Sequence, residues 1–194
     1  MSPAVTIVLL WLGFAGSHVL LSHPPVRSNL VARLGTQPFL AVYSLVAFAF
    51  FVPLCWVYFA HLHEGEWLWV MPRGAILTGV VTLGATVGFV VMAGGLLQPS
   101  PAGMTGGSME PRGVLRITRH PLFMGLGIVG LFHLLPNASA SDLAFFAGLP
   151  LFAIVGCAHQ DRRKLAEHVP GYEAFVAATP FLPFAGRETL RGFA

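Results

Sequence analysis

Four runs of apolar residues, each close to the length of a bilayer-spanning helix, leave this chain few folds to adopt. They cover roughly residues 4–21, 38–60, 74–97 and 141–158. About 20 predominantly apolar residues carry an α-helix across the hydrocarbon core of a membrane. With no water available there, every backbone N–H and C=O must be paired within the structure, so only helices and closed barrels cross. A fifth run, over about 121–135, is shorter and needs its flanking residues to reach across. Composition agrees, since 55% of the 194 residues are hydrophobic and only 10% are charged. A soluble domain carries about 25% charged residues, so this chain could not cover its own surface in water. The expected fold is all-α: a polytopic integral membrane helical bundle of about five transmembrane helices, forming a single domain over 1–194.

Charge sets the orientation. With five crossings, Arg27, Arg33, Arg112, Arg116, Arg119, Arg162, Arg163, Lys164, Arg187 and Arg191 fall on one side and Arg73 alone on the other. That is ten of the eleven basic residues, the bias that marks a cytoplasmic face. The N-terminus is therefore expected outside and the C-terminal tail inside. The first run has neither a basic n-region nor an A-x-A-like site, so it is not expected to be a cleaved signal peptide. A pI near 9.3 then reflects basic loops beside anionic lipid. The lipid bilayer is the expected partner, and nucleic acid is not needed to explain the charge.

Between the runs, "SHPPVRSNLVARLGTQP" (22–38) reads as a short cytoplasmic loop in which Pro24 and Pro25 break the helix after His23. The cytoplasmic loop 98–118, opening "QPSPAGMTGGSMEPRG", is the most irregular stretch and suits a tether or a mobile flap. The tail, 161–194, reads as a short amphipathic helix followed by an apolar, proline-bounded end on the membrane surface. Thr78, Thr82 and Thr86, with Gly84 and Gly88 in G-x-x-x-G spacing, indicate close helix packing. "GLGIVG" (125–130) matches a dinucleotide fingerprint by letters alone, because no strand precedes it. Cys55 and Cys157 lie about 20 Å apart in depth at 1.5 Å per residue, and serve as small apolar fillers.

The chemistry is concentrated in eight histidines. Ionisable groups inside membrane segments are costly and are functional candidates by default. His23, His63, His159 and His168 fall in loops, tail or helix ends and read as interfacial. His120 lies beside Arg116 and Arg119 as a candidate cytoplasmic-surface site. His133 is about 20 Å further along the same helix, so the two cannot share one site. His61 ends the second run on the same outer side as His133, and His18 lies nearer the cytoplasmic half. Gly130, one turn before His133, leaves room for something flat. Zinc requires three or four protein ligands, and no intramembrane carboxylate or ligand pair at i, i+4 is expected to be available. Haem iron needs only one or two axial imidazoles in an apolar setting, so haem b is the better-suited cofactor.

Three stretches carry a resemblance. "GSHVLLSHPPVRSNLVARLGTQPFLAVYSL", "GVLRITRHPLFMGLGIVGLFHLL" and "DRRKLAEHVPGYEAF" resemble the NnrU family of polytopic membrane proteins, over nearly the whole chain. The resemblance implies a bacterial cytoplasmic membrane protein of denitrification and nitric oxide metabolism. Through a related plant carotenoid isomerase it also implies haem b and cis–trans isomerisation of a polyene. On that likeness His18 and His133 are the axial pair. Depth instead pairs His133 with His61, because His18 and His133 differ by roughly 10–15 Å along the membrane normal. His133 is the anchor on both readings, with its partner open. The isomerase has a cysteine where this chain has Gly130, so thiolate ligand switching lacks its residue here. The expected small-molecule partner is a hydrophobic substrate or nitric oxide.

"RHPLFMG", "EHVPGYEAF" and "PFLPF" are also similar, more distantly, to isoprenylcysteine carboxyl and phospholipid methyltransferases. That likeness implies S-adenosylmethionine, but Gln160 and Asp161 replace the expected carboxylate pair. A third class is a non-catalytic membrane factor for assembly or transport. The orientation is testable directly. A reporter fused at Ala194 is expected to fluoresce in the cytoplasm, and fluorescence confined to the periplasm would reverse the topology.

Overall fold

A computed structural model describes residues 1–103, 106–186 and 189. Met104 and Thr105 of the 98–118 loop, and the tail residues Arg187 and Arg191 counted above, lie outside the described residues. Four helical stretches are long and apolar enough to cross a membrane: Pro3–Ser22, Thr36–Ala60, Ala75–Leu97 and Ala140–Ala166. A shorter apolar helix covers Pro121–Leu134. The all-α polytopic class follows, with a small two-stranded ribbon added to it. The chain divides into two compact units, 1–72 with 134–148 and 73–133 with 149–194.

The first unit begins with α1 (Pro3–Ser22), where the Ser2 hydroxyl accepts the Val5 N–H and Pro3 occupies the first turn. His23 closes α1 and also opens α2 (Pro24–Leu34). The expected loop is thus a helix. Pro24 and Pro25 end α1 as anticipated, but in a first turn their missing N–H groups cost nothing, so they also start the next helix. Gly35, at φ +83°, ends α2 and leads into α3 (Thr36–Ala60). α1 and α3 pack through Phe14 and Phe51, with ring centroids 5.5 Å apart. On α3 the apolar Trp56 is 75% exposed and Leu45 is 68% exposed, which suits a helix that meets lipid.

Two short strands follow. β1 (Trp67–Val70) pairs antiparallel with β2 (Asn137–Ser139), in the register Trp67 opposite Ser139 and Val70 opposite Asn137. Periodicity in the sequence could not reveal this ribbon, because four apolar residues carry no usable period. Ser139 then caps α6 (Ala140–Phe146) in a reciprocal capping box with Asp142. The Trp11 indole N–H donates to Phe145 O at 3.3 Å, and Phe145 stacks on Tyr58 at 4.1 Å, tying α6 to α1 and α3.

The second unit contains α4 (Ala75–Leu97), a 3-10 turn (Gly113–Arg116), α5 (Pro121–Leu134), α7 (Gly148–Ala166) and α8 (Tyr172–Ala178). α4 and α5 run antiparallel at backbone contact distance. A Cβ on Gly88 would lie 2.9 Å from Gly125 O, and one on Gly95 would lie 2.6 Å from Leu122 N. Gly84 faces the Phe132 ring. The glycine part of the expected seam is a packing seam, whereas Thr78, Thr82 and Thr86 are exposed and do not share it. On its other side α5 meets α7, with Gly127 set against Pro150 and Ala153. At 1.5 Å per residue α5 is about 21 Å long, and His133 at its end lies near the level of Gly84. The described parts of the loop and the tail fold back onto this unit, where Ala102 and Leu115 are buried with Tyr172 and Phe175.

The seam predicts a paired result. Gly88→Ala forces the Gly125 backbone away and should destabilise the protein by about 1–3 kcal/mol. Gly79→Ala, on the same helix with nothing within 4 Å, should leave the unfolding temperature in detergent the same or slightly higher, because alanine is the better helix former.

Candidate functional site

His133 sits in the last turn of α5 with Nδ1 2.7 Å from Val129 O. A carbonyl can only accept, so Nδ1 donates this hydrogen bond, and in the neutral ring Nε2 holds the lone pair. His18, on α1, repeats the arrangement, with Nδ1 3.0 Å from Phe14 O. Its ring lies against Phe14 and Tyr43, at centroid separations of 4.3 and 4.9 Å. In each case the helix itself supplies the orienting acceptor, one turn earlier. His61 differs. It ends α3, its side chain is 43% exposed, and its Nδ1 meets Glu64 Oε1 at 3.0 Å. His18 and His61 belong to the first unit, while His133 and the buried Gly130 belong to the second. Among the described residues no three His, Cys, Asp or Glu side chains gather as metal ligands.

Arg119 and His120 converge on a buried carboxylate. Asp161 accepts from Arg119 Nε at 2.8 Å, from His120 Nε2 at 2.9 Å and from the Tyr172 hydroxyl. Arg119 also donates through NH1 to Thr179 O and through its backbone to Pro180 O, both at 2.9 Å. Its guanidinium stands over the Phe181 ring. His120 is 3% exposed, with its ring edge-on to Phe181, so it is enclosed by the tail. Arg116 is not part of the group, since its Nε donates to Pro111 O at 3.0 Å. In the sequence Asp161 stands out only as the remaining half of a carboxylate pair. Here it is the clasp that holds α8 and the tail to the start of α5.

A second buried carboxylate was missed. Asp142 lies near the start of the apolar stretch Ala140–Ala166 and is almost fully buried, which corrects the expectation that such segments hold no carboxylate. Its Oδ1 accepts from the Tyr58 hydroxyl at 3.0 Å. Its Oδ2 accepts from His63 Nδ1 at 2.9 Å and from the Ser139 hydroxyl and backbone N–H at 2.9 and 3.1 Å. The signal in the sequence was "SASD" (139–142), an S-x-x-[DE] capping pattern. His63 had read as an interfacial histidine. Its partner is 79 residues away in sequence, so no local pattern could have identified it.

Tyr172 predicts how the clasp responds to alkali. Burial and then the hydrogen bond to Asp161 push its phenol well above the ordinary value. A pKa raised in the folded state adds stability that is complete below the unfolded value, about 10 for a phenol. That stability is lost as pH rises beyond it. Tyr172→Phe should cost about 1.5–3 kcal/mol at neutral pH and flatten the fall in stability above about pH 10. Thermal unfolding of both proteins across that range checks it.

The profile of the family described as "NnrU protein" matches residues 6–191, across both units. The chloroplastic 15-cis-zeta-carotene isomerase of Zea mays is 24% identical over 196 residues, covering 97% of this chain and 53% of the isomerase. The chain therefore spans about half the length of the curated relative it matches. No solved structure matches. Four membrane-length apolar helical stretches, histidines set within apolar helices, and a family match over nearly the full length lead to one conclusion: this chain belongs to the NnrU family of membrane proteins.

Proposed function

We propose that this NnrU protein binds haem b through Nε2 of His133 and uses it on a hydrophobic small molecule in the bacterial cytoplasmic membrane. The observation that carries the reading is the Nδ1–H of His133 donating to Val129 O inside an otherwise apolar helix. An axial ligand must be neutral, must present one lone pair and must be held in orientation, and a hydrogen bond from the opposite ring nitrogen meets these needs. Haem requires no cluster of protein ligands, so the donor set of α5 fits it. When bound, haem iron supplies redox change and binding of nitric oxide or of a polyene. The protein's own part is to orient the imidazole and to exclude water with apolar helices.

Likeness to 15-cis-zeta-carotene isomerase favours cis–trans isomerisation of a polyene as the reaction class. A role in nitric oxide metabolism or denitrification is the variant in which a small gas meets the same iron. The S-adenosylmethionine reading has less support. Asp161, the carboxylate that likeness would use, is already committed to Arg119, His120 and Tyr172.

Tag-free protein purified in mild detergent from haem-replete cells should be red, with a Soret band and a pyridine haemochrome spectrum of haem b. His133→Ala should lower haem per mole at least about tenfold, in line with loss of a metal ligand or its support, and still reach the membrane. Substituting His18 and His61 one at a time reads out any second ligand. A colourless wild-type protein, or an unchanged Soret band in His133→Ala, would overturn the proposal.

A further inference from the structure

The helix between α1 and α3 has no part in the haem reading. α2 has 11 residues. That is about 16 Å at 1.5 Å per residue, too short to cross a bilayer. Each of its ends meets a helix that is long and apolar enough to cross one. His23 turns the chain out of α1, and Gly35, at φ +83°, turns it into α3. Both ends of α2 therefore stand at one membrane surface, and the helix runs along it. None of its residues is buried in the protein.

Its side chains sort by helical angle. At about 100° per residue, Val26, Leu30 and Leu34 form one apolar stripe, with Arg33 on one flank and Arg27 on the other. The opposite arc carries Pro25, Ser28, Asn29 and Ala32, all exposed. Leu34, at the end of the stripe, is 45% exposed. The Arg27 guanidinium stands 5.1 Å over the buried Phe39 ring at the start of α3, a contact that holds it in place. Arg33 is exposed. Among the described residues neither arginine has a carboxylate partner. The first acidic residue of the chain is Glu64, beyond the far end of α3.

We propose that α2 binds anionic phospholipid. The helix lies in the headgroup layer with its apolar stripe toward the acyl chains, and Arg27 and Arg33 pair with lipid phosphates along the two flanks. Positive charge without a protein counter-ion beside a membrane draws acidic lipid. A guanidinium keeps its charge and takes phosphate oxygens two at a time. The position of the arginines selects the partner. They stand on the apolar side of the helix, whereas the outer arc of Ser28 and Asn29 carries no cation for a soluble acidic protein. An apolar stripe between two cations needs acyl chains and phosphate together. A phospholipid supplies both, and a free phosphate supplies only one. The site does not depend on the haem reading, since it uses none of His133, His18 and His61.

The test uses full-length, tag-free protein in a neutral detergent. Its unfolding temperature is followed during titration with phosphatidylglycerol, with phosphatidylcholine of the same acyl chains, or with sodium phosphate. Phosphatidylglycerol should raise that temperature saturably and less so at high salt. Phosphatidylcholine should raise it less, and phosphate should leave it unchanged. The apparent affinity for phosphatidylglycerol should fall about fivefold in Arg33→Gln and in Arg27→Gln, the effect of one basic residue at a membrane surface. The double variant should lose about 25-fold, and Arg27→Lys/Arg33→Lys should keep most of the binding. Unfolding temperatures without lipid separate these losses from misfolding. Arg162→Gln, an exposed arginine on α7, should bind as the wild type does. Equal stabilisation by the two lipids, or wild-type affinity in the Arg27→Gln/Arg33→Gln variant, would overturn the proposal. So would a loss in Arg162→Gln as large as that in Arg33→Gln, or stabilisation by phosphate equal to that by phosphatidylglycerol.

Discussion

The constraint on which the rest of this structure depends is the absence of water around most of its length. A backbone amide that cannot reach solvent must bond within its own helix, which dictates α1, α3, α4 and the stretch Ala140–Ala166 before any side chain is considered. The same condition removes the hydrophobic drive between helices, because lipid tails are as apolar as leucine. Association must come from close packing and polar bonds. α4 and α5 show the first, where glycines bring one backbone against another.

The two buried carboxylates show the second. Asp142 and Asp161 stand near opposite ends of one apolar stretch, and each gathers donors from segments distant in sequence. A buried carboxylate left short of donors is costly, so each site is stable only when all of its partners are present. Asp142 joins the ends of α3, the following turn and β2. Asp161 joins the start of α5 with α8 and the tail.

The histidines obey the same accounting with different consequences. Inside a helix, His18 and His133 satisfy Nδ1 on the carbonyl one turn earlier, which costs the fold nothing and sets the tautomer. At the end of α3, where helical carbonyls run out, His61 and His63 use carboxylates instead. His120 is the exception, bonding through Nε2 to Asp161 inside the clasp. Which ring nitrogen is engaged therefore separates the enclosed His120 from the four histidines that bond through Nδ1.

The helices, their approximate ends and the glycine seam are legible in the sequence, because each depends on local composition or on spacing along one helix. A run of about twenty apolar residues means much the same wherever it occurs, and Gly84 and Gly88 share a face by helical geometry alone. α2 is not evident from the sequence, because Pro24 and Pro25 both end one helix and begin the next. The ribbon, and the partners of Asp142 and Asp161, belong to the tertiary structure. His63 meets Asp142 across 79 residues, and His120 meets Asp161 across 41. No periodicity reaches over such separations. Only the folded chain decides which donor arrives at a buried carboxylate.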